Sequence, residues 1–143
     1  MMSEYGKCGN QVLLPRPLAC TDRAILVMLR RMGGHGMRDA QAAMLAMRHF
    51  GNGFRQPLTL MRCFLAELAQ ASQRNILIAN CCAPKMTLDE GLVLEAVAMS
   101  CRKPDRTRRN MDLLTGGGPA SRAITVARAL NIALENAGSP LEG

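Results

Sequence analysis

Thr87-Leu88-Asp89-Glu90-Gly91-Leu92-Val93-Leu94-Glu95-Ala96-Val97-Ala98-Met99 is the stretch on which the fold turns. Its first four residues have the capping-box form. The Thr87 hydroxyl can accept a backbone N–H three residues on while Glu90 reaches back to the N–H of residue 87, so a helix starts there. From Leu92 to Met99 the body is apolar nearly all round. A helix without a polar stripe has no side to turn to water and is expected at the centre, wrapped by neighbours.

Outward from this helix, one-sided stripes mark the elements that would wrap it. Thr21 or Asp22 can cap a helix whose apolar positions Ile25, Met28, Leu29 and Met32 follow i, i+3, i+4, i+7, with Arg23, Arg30 and Arg31 on or near the outer side. Gly33-Gly34-His35-Gly36 is expected to end it. A second helix runs from about Arg38 or Asp39 to Phe50 with Ala40, Ala43, Met44 and Met47 as its stripe, and the tight joint implies an αα-hairpin. Pro57 opens a third helix to about Ser72, burying Leu58, Met61, Phe64, Leu65 and Leu68. Beyond the central helix, a short one ends at Thr115-Gly116, and a last one from Pro119 to about Ala137 buries Ile124, Ala127, Leu130 and Leu134. The run Asn75-Ile76-Leu77-Ile78-Ala79 reads as one short strand or extended segment, with no partner evident. The expectation is an all-α, compact, bundle-like domain of five or six helices over residues 21–137, with room for one short strand. Residues 1–20, punctuated by Gly6, Gly9, Pro15 and Pro17, read as an irregular arm, and residues 138–143 as a tail that frays.

Composition bounds the rest. With 143 residues and 48% apolar content the chain can bury a core without disulfides, and a charged fraction of 20% excludes disorder as its main content. No run approaches the roughly 18 apolar residues a membrane helix needs. Net charge is +7 from 18 basic and 11 acidic residues, concentrated in residues 1–80 and raising a polyanion as a partner. The skew of Arg over Lys, with only Lys7, Lys85 and Lys103, also fits codon usage alone. Aromatics are nearly absent, with Tyr5, three Phe and no Trp, so stacking on single strands is poorly provided for. The first residues have no apolar stretch of a secretory signal, which points to the cytoplasm and to reduced thiols among the six cysteines Cys8, Cys20, Cys63, Cys81, Cys82 and Cys101.

Four features carry candidate chemistry. Cys81 and Cys82 are adjacent in a loop before the capped helix, where the dipole and Lys85 would favour thiolate; they could hold zinc with a remote ligand such as His35, act as reactive thiols, or simply pack. His35 precedes Asp39 by four residues, but a structural role for both fits better, with Asp39 as the N-cap of the second helix; His49, ending that helix, reads as a dipole partner or a solvated residue. Gly117, Gly118, Ser121 and Arg122 could receive an anion at a helix start, although the Walker pattern is incomplete and a plain connection explains the glycines. Arg102, Lys103, Arg106, Arg108 and Arg109 form a basic run that suits nucleic acid or a solvated face, and the first two helices could serve as a helix-turn-helix with Arg38, Gln41 and Arg48 outward. Eleven methionines, five of them (Met28, Met32, Met44, Met47 and Met61) at helical spacing, fill a core or offer an adaptable groove to a partner.

Arg30-Arg31-Met32-x-x-His35-Gly36-x-Arg38-Asp39-Ala40 together with Ala79-x-Cys81-Cys82-x-Pro84-x-Met86-Thr87-x-x-Glu90 resembles a small, mainly alphaproteobacterial family of unknown function, over about residues 12–135. The resemblance implies one cytoplasmic unit in which the His-Gly joint and the Cys-Cys loop belong to the family pattern. It brings no activity, cofactor or partner. The leading expectation is a non-enzymatic accessory or regulatory protein that binds a protein partner, or its own copy, through helix surfaces. A metal- or thiol-dependent protein centred on Cys81 and Cys82, and a helical nucleic-acid binder, are the alternatives.

Overall fold

The computed structural model describes residues 2–5 and 13–143, and over these the chain forms six α-helices and four short strands. Strands β1 (Met2–Tyr5) and β2 (Leu13–Pro15) precede helices α1 (Cys20–His35), α2 (Ala40–Phe50) and α3 (Arg55–Ala71). Strands β3 (Ile76–Ala79) and β4 (Lys85–Thr87) then lead into α4 (Leu88–Met99), α5 (Pro104–Thr115) and α6 (Ser121–Asn136). The expected mostly helical domain is therefore present, and α4 has the predicted place: it packs against α1, α5, α6, β3 and β4. Both halves of its capping box are formed. Val93, Leu94, Ala96, Val97 and Ala98 join the stripes of α1, α3 and α6 in one hydrophobic cluster.

The segment read as an irregular arm holds two strands. β1 pairs in parallel with β3, Met2 opposite Ile76 and Tyr5 opposite Ala79, and β2 pairs antiparallel with β4, Leu13 opposite Thr87. Each pairing is closed across three helices, so neither partner is visible in local pattern; Gly6, Cys8 and Gly9 lie outside the described residues. The tail is also corrected. Leu141 is buried, and the Asp22 carboxylate accepts the Glu142 and Gly143 N–H groups at 3.0 and 3.1 Å, so the tail is tied to the first turn of α1 rather than frayed.

The edge of β3 that β1 does not cover is closed by side chains from the start of α4. Asp89 accepts the Leu77 N–H at 2.8 Å, Glu90 the Ala79 N–H at 3.2 Å, and the Thr87 hydroxyl donates to the Leu77 carbonyl at 2.7 Å. Alternate backbone groups of one strand face one edge, so the three polar residues of the Thr87–Glu90 capping segment satisfy a strand that would otherwise carry open donors and acceptors.

Two local expectations shift. Gly33 does not end α1, which continues to His35 before Gly36 at φ +107° closes it; a Cβ on Gly33 would stand 2.7 Å from Ile78 Cδ1, so this glycine lets β3 lie against the helix. On α2 the buried positions are Ala42 and Ala46, and Met44 and Met47 are each 47% exposed. Small alanines allow α2 to sit close to its neighbours α1 and α3, which turns the larger methionines outward.

Candidate functional site

Arg30 and Glu90 organise the region where the two family-like segments meet. Glu90 Oε1 accepts the Thr87 N–H at 2.8 Å and Arg30 Nη2 at 3.1 Å, while Oε2 accepts Arg30 Nε at 2.8 Å. Arg30 Nη1 and Nη2 also donate to the Ala83 and Lys85 carbonyls, both at 2.9 Å. A buried charge is tolerated only when paired and hydrogen-bonded, and here each guanidinium nitrogen has an acceptor. Periodicity puts Arg30 near the outer side; it lies inside because its partner, 60 residues away, lies inside as well.

The Cys81-Cys82 turn hangs from this tie. Its sulfurs are 3.7 Å apart, Cys81 half-buried and Cys82 exposed. Cys81 lies beside Arg31 and helps favour its protonated form, though the larger influence on Arg31 is Asp39, which it grips at 3.0 and 2.9 Å. Asp39 accepts the Ala42 N–H as the expected N-cap of α2. The Cys82 thiol is pushed above its ordinary value, chiefly by Cys81, with Arg16 and Arg30 pulling weakly the other way. The lowered thiol expected from the helix N-terminus and Lys85 is not found at Cys82, where the contact with Cys81 outweighs the nearby guanidinium groups.

His35 is exposed in the last turn of α1. Among the described residues no group of three or more His, Cys, Asp and Glu gathers, so Cys81, Cys82 and His35 are not brought together as a zinc set. His49 Nε2 instead meets the Thr21 hydroxyl at 3.0 Å, linking α2 to the start of α1.

A cleft of about 470 Å³ opens between the 13–19 segment, α4 and the tail. Leu14, Pro17, Leu18, Met86, Leu88 and Leu92 supply its apolar walls. Leu18 is 90% exposed and Leu88 53% exposed at this site. The cleft's charged residues are Arg16, Asp22, Glu95 and Glu142: Asp22 is engaged by the tail and Glu95 by Arg106 and Asn110, and the enclosed Arg16 Nε has no hydrogen-bond partner. Pockets of this size, mainly apolar with a few polar groups, are the usual form of a ligand site. Sequence reasoning missed it, because Pro15-Arg16-Pro17-Leu18 reads as a connecting arm; the available signal was Leu18, a large apolar residue outside any stripe.

Packing or pairing engages Gly118, Arg122, Arg106 and Arg108 among the remaining candidates. Gly118 sits where a Cβ would stand 1.8 Å from the Ala71 carbonyl oxygen, so the glycine serves the close approach of this loop to the end of α3. Arg122 pairs with the Glu67 carboxylate at 3.2 Å, which places a carboxylate beside the residue expected to receive an anion; α6 starts at Ser121 with Ala120 as its N-cap and no side-chain cap. In the basic run Arg106 grips Glu95 at 2.7 and 3.1 Å and Arg108 meets Asp105 at 3.6 Å, while Arg102, Lys103 and Arg109 are exposed. α5 thus presents mixed charge. Of the methionine stripe, Met28, Met32 and Met61 are core and only Met44 and Met47 face out.

Six helices, the apolar α4 central among them, with a buried Arg–Glu tie and an open apolar cleft, define a small, mostly helical domain. Residues 8–139 match a family described as "Family of unknown function (DUF6628)", and the chain belongs to that family. No curated protein and no solved structure matches the chain. Among the described residues no helix is long and apolar enough to cross a membrane.

Proposed function

We propose that this is a cytoplasmic, non-enzymatic accessory or regulatory protein that binds a partner protein by taking an extended segment, bearing an aliphatic residue and a carboxylate, into the cleft between residues 13–19 and α4. The observation that carries the reading is Leu18, 90% exposed on the wall of a 470 Å³ apolar cleft that also holds an unpartnered Arg16 Nε. Burying a leucine gains about 1.5–3 kcal/mol, and the charge of Arg16 in the cleft lining favours a carboxylate beside its guanidinium, the Nε itself being enclosed. The reading keeps the expected partner binding but moves it from helix surfaces alone to a cleft with one helical wall. The segments Arg30–Ala40 and Ala79–Glu90 are proposed as the family's pattern, supported by the Arg30–Glu90 tie that joins them.

An array of short peptides, scanning aliphatic and acidic residues independently, tests this. Retained peptides should pair an aliphatic side chain with an acid, and both Leu18→Asp and Arg16→Ala should lose them. Equal retention by wild type and variants, or no enrichment of that pairing, overturns it.

A second reading concerns self-association. Met44 and Met47, one turn apart and each 47% exposed on α2, favour a homodimer contact. Sedimentation of wild type beside Met44→Lys/Met47→Lys checks it: a dimer converted to monomer supports the contact, and a monomeric wild type removes it.

A further inference from the structure

We propose that Cys81 and Cys82 form a two-coordinate site for a soft monovalent cation, copper(I). The two sulfurs stand 3.7 Å apart in the turn between β3 and β4. In a linear two-coordinate site with metal–sulfur bonds of about 2.3 Å, the zinc value, the sulfurs stand about 4.6 Å apart, so the 3.7 Å contact has to open by about 0.9 Å through rotation of the exposed Cys82 side chain to admit one ion. Thiolates are the ligands that select copper(I) over harder cations.

The turn is held for this purpose from beneath. Arg30 donates to the Ala83 carbonyl and the Lys85 carbonyl at 2.9 Å each while its charge is met by Glu90. The thiols are therefore presented on a fixed base, with Cys82 exposed and open to an incoming ion. Cys20, Cys63 and Cys101 are exposed as well, but only Cys81 and Cys82 among the described residues stand in sulfur–sulfur contact.

Charge decides which ion fits. Arg31 lies beside Cys81, and Arg16 and Arg30 bear on Cys82, so the surroundings are positive. A bare divalent cation gains nothing there. A bis-thiolate complex of copper(I) carries a net charge of −1 and is stabilised by those guanidinium groups. Zinc in a structural site asks for four ligands, and the described residues offer the two sulfurs no third His, Cys, Asp or Glu. In the binding step two S–H bonds break, the copper's acetonitrile ligands leave to solvent as two copper–sulfur bonds form, and two protons leave to buffer. No electron is transferred.

The test is an anaerobic titration of the reduced protein with copper(I), supplied as its acetonitrile complex, against bathocuproine disulfonate as a coloured competitor. Wild type should withhold one copper per chain. Cys81→Ser and Cys82→Ser should each lose that capacity while melting at the wild-type temperature. A variant with Cys8, Cys20, Cys63 and Cys101 all changed to Ser should keep it. Failure of wild type to withhold copper, retention by the Cys81→Ser/Cys82→Ser pair, or loss in a folded four-serine variant overturns the proposal. So does retention of zinc at one ion per chain through the same two thiols.

Discussion

Arg30 on α1 and Glu90 on α4 meet at 2.8 Å with both side chains fully out of water. The same pair holds the ends of β3 and β4, because Glu90 accepts the Ala79 and Thr87 N–H groups and Arg30 reaches the Ala83 and Lys85 carbonyls. Two helices and the turn bearing the cysteines thus share one buried charge pair.

Removing one member should be costly. Arg30→Met leaves the Glu90 carboxylate buried and uncompensated, and about 3–5 kcal/mol of stability should be lost. The double variant Arg30→Met/Glu90→Met should lose less than the sum of the single changes. Urea unfolding of the four proteins checks this; strictly additive losses would mean the two side chains are not coupled.

The capping box gives a smaller, separable effect. Thr87 accepts the Glu90 N–H at 3.1 Å and donates to the Leu77 carbonyl at 2.7 Å. Thr87→Ala should cost about 1–2 kcal/mol through the lost cap. Thermal melting measures it, and hydrogen exchange in β3 should quicken.

Acid should expose the Arg31–Asp39 contact. The Arg31 guanidinium, hydrogen-bonded to Asp39, holds that carboxyl below its ordinary value. Its contribution is therefore complete above the unfolded value of about 3.9 and is lost as pH falls through the lower folded value. Melting temperature followed downward from neutral pH should drop less steeply below about pH 4 in Asp39→Asn than in wild type. Parallel curves would contradict the assignment.

Much of this was legible in sequence, and what was not has a common physical cause. The capping box at Thr87, the all-round apolar body after it, the stripe of α3 and the cap at Asp39 are local signals, each written within one or two turns. The partner of β3 lies across three helices at Met2–Tyr5, and the fixed tail depends on Asp22, about 120 residues away. Arg30 was misplaced because a periodicity rule sends charge outward unless the opposing charge is known. On α2 the choice between alanines and methionines for the inner face rests on how closely its neighbours approach, which no single helix records. The Cys81-Cys82 turn was located by sequence, but its surroundings of Arg16, Arg30 and Arg31 come from separate segments. The cleft had the weakest signal, a lone Leu18.

Gly118 and Arg122 should differ in their weight in stability. Gly118→Ala drives a Cβ toward the Ala71 carbonyl and should cost about 1–3 kcal/mol or more, as overpacking does. Arg122, 81% exposed, should change stability by less than about 0.5 kcal/mol when made Ala. Paired melting curves compare the two directly.

The most direct test of partner binding in the cleft is a two-dimensional amide spectrum of labelled protein, recorded while a peptide selected on the array is added. The account predicts shifts concentrated at Leu14, Arg16, Leu18, Leu88 and Gly91, absent in Leu18→Asp. Shifts centred instead on Met44 and Met47 of α2, or on the 102–109 run, would contradict it.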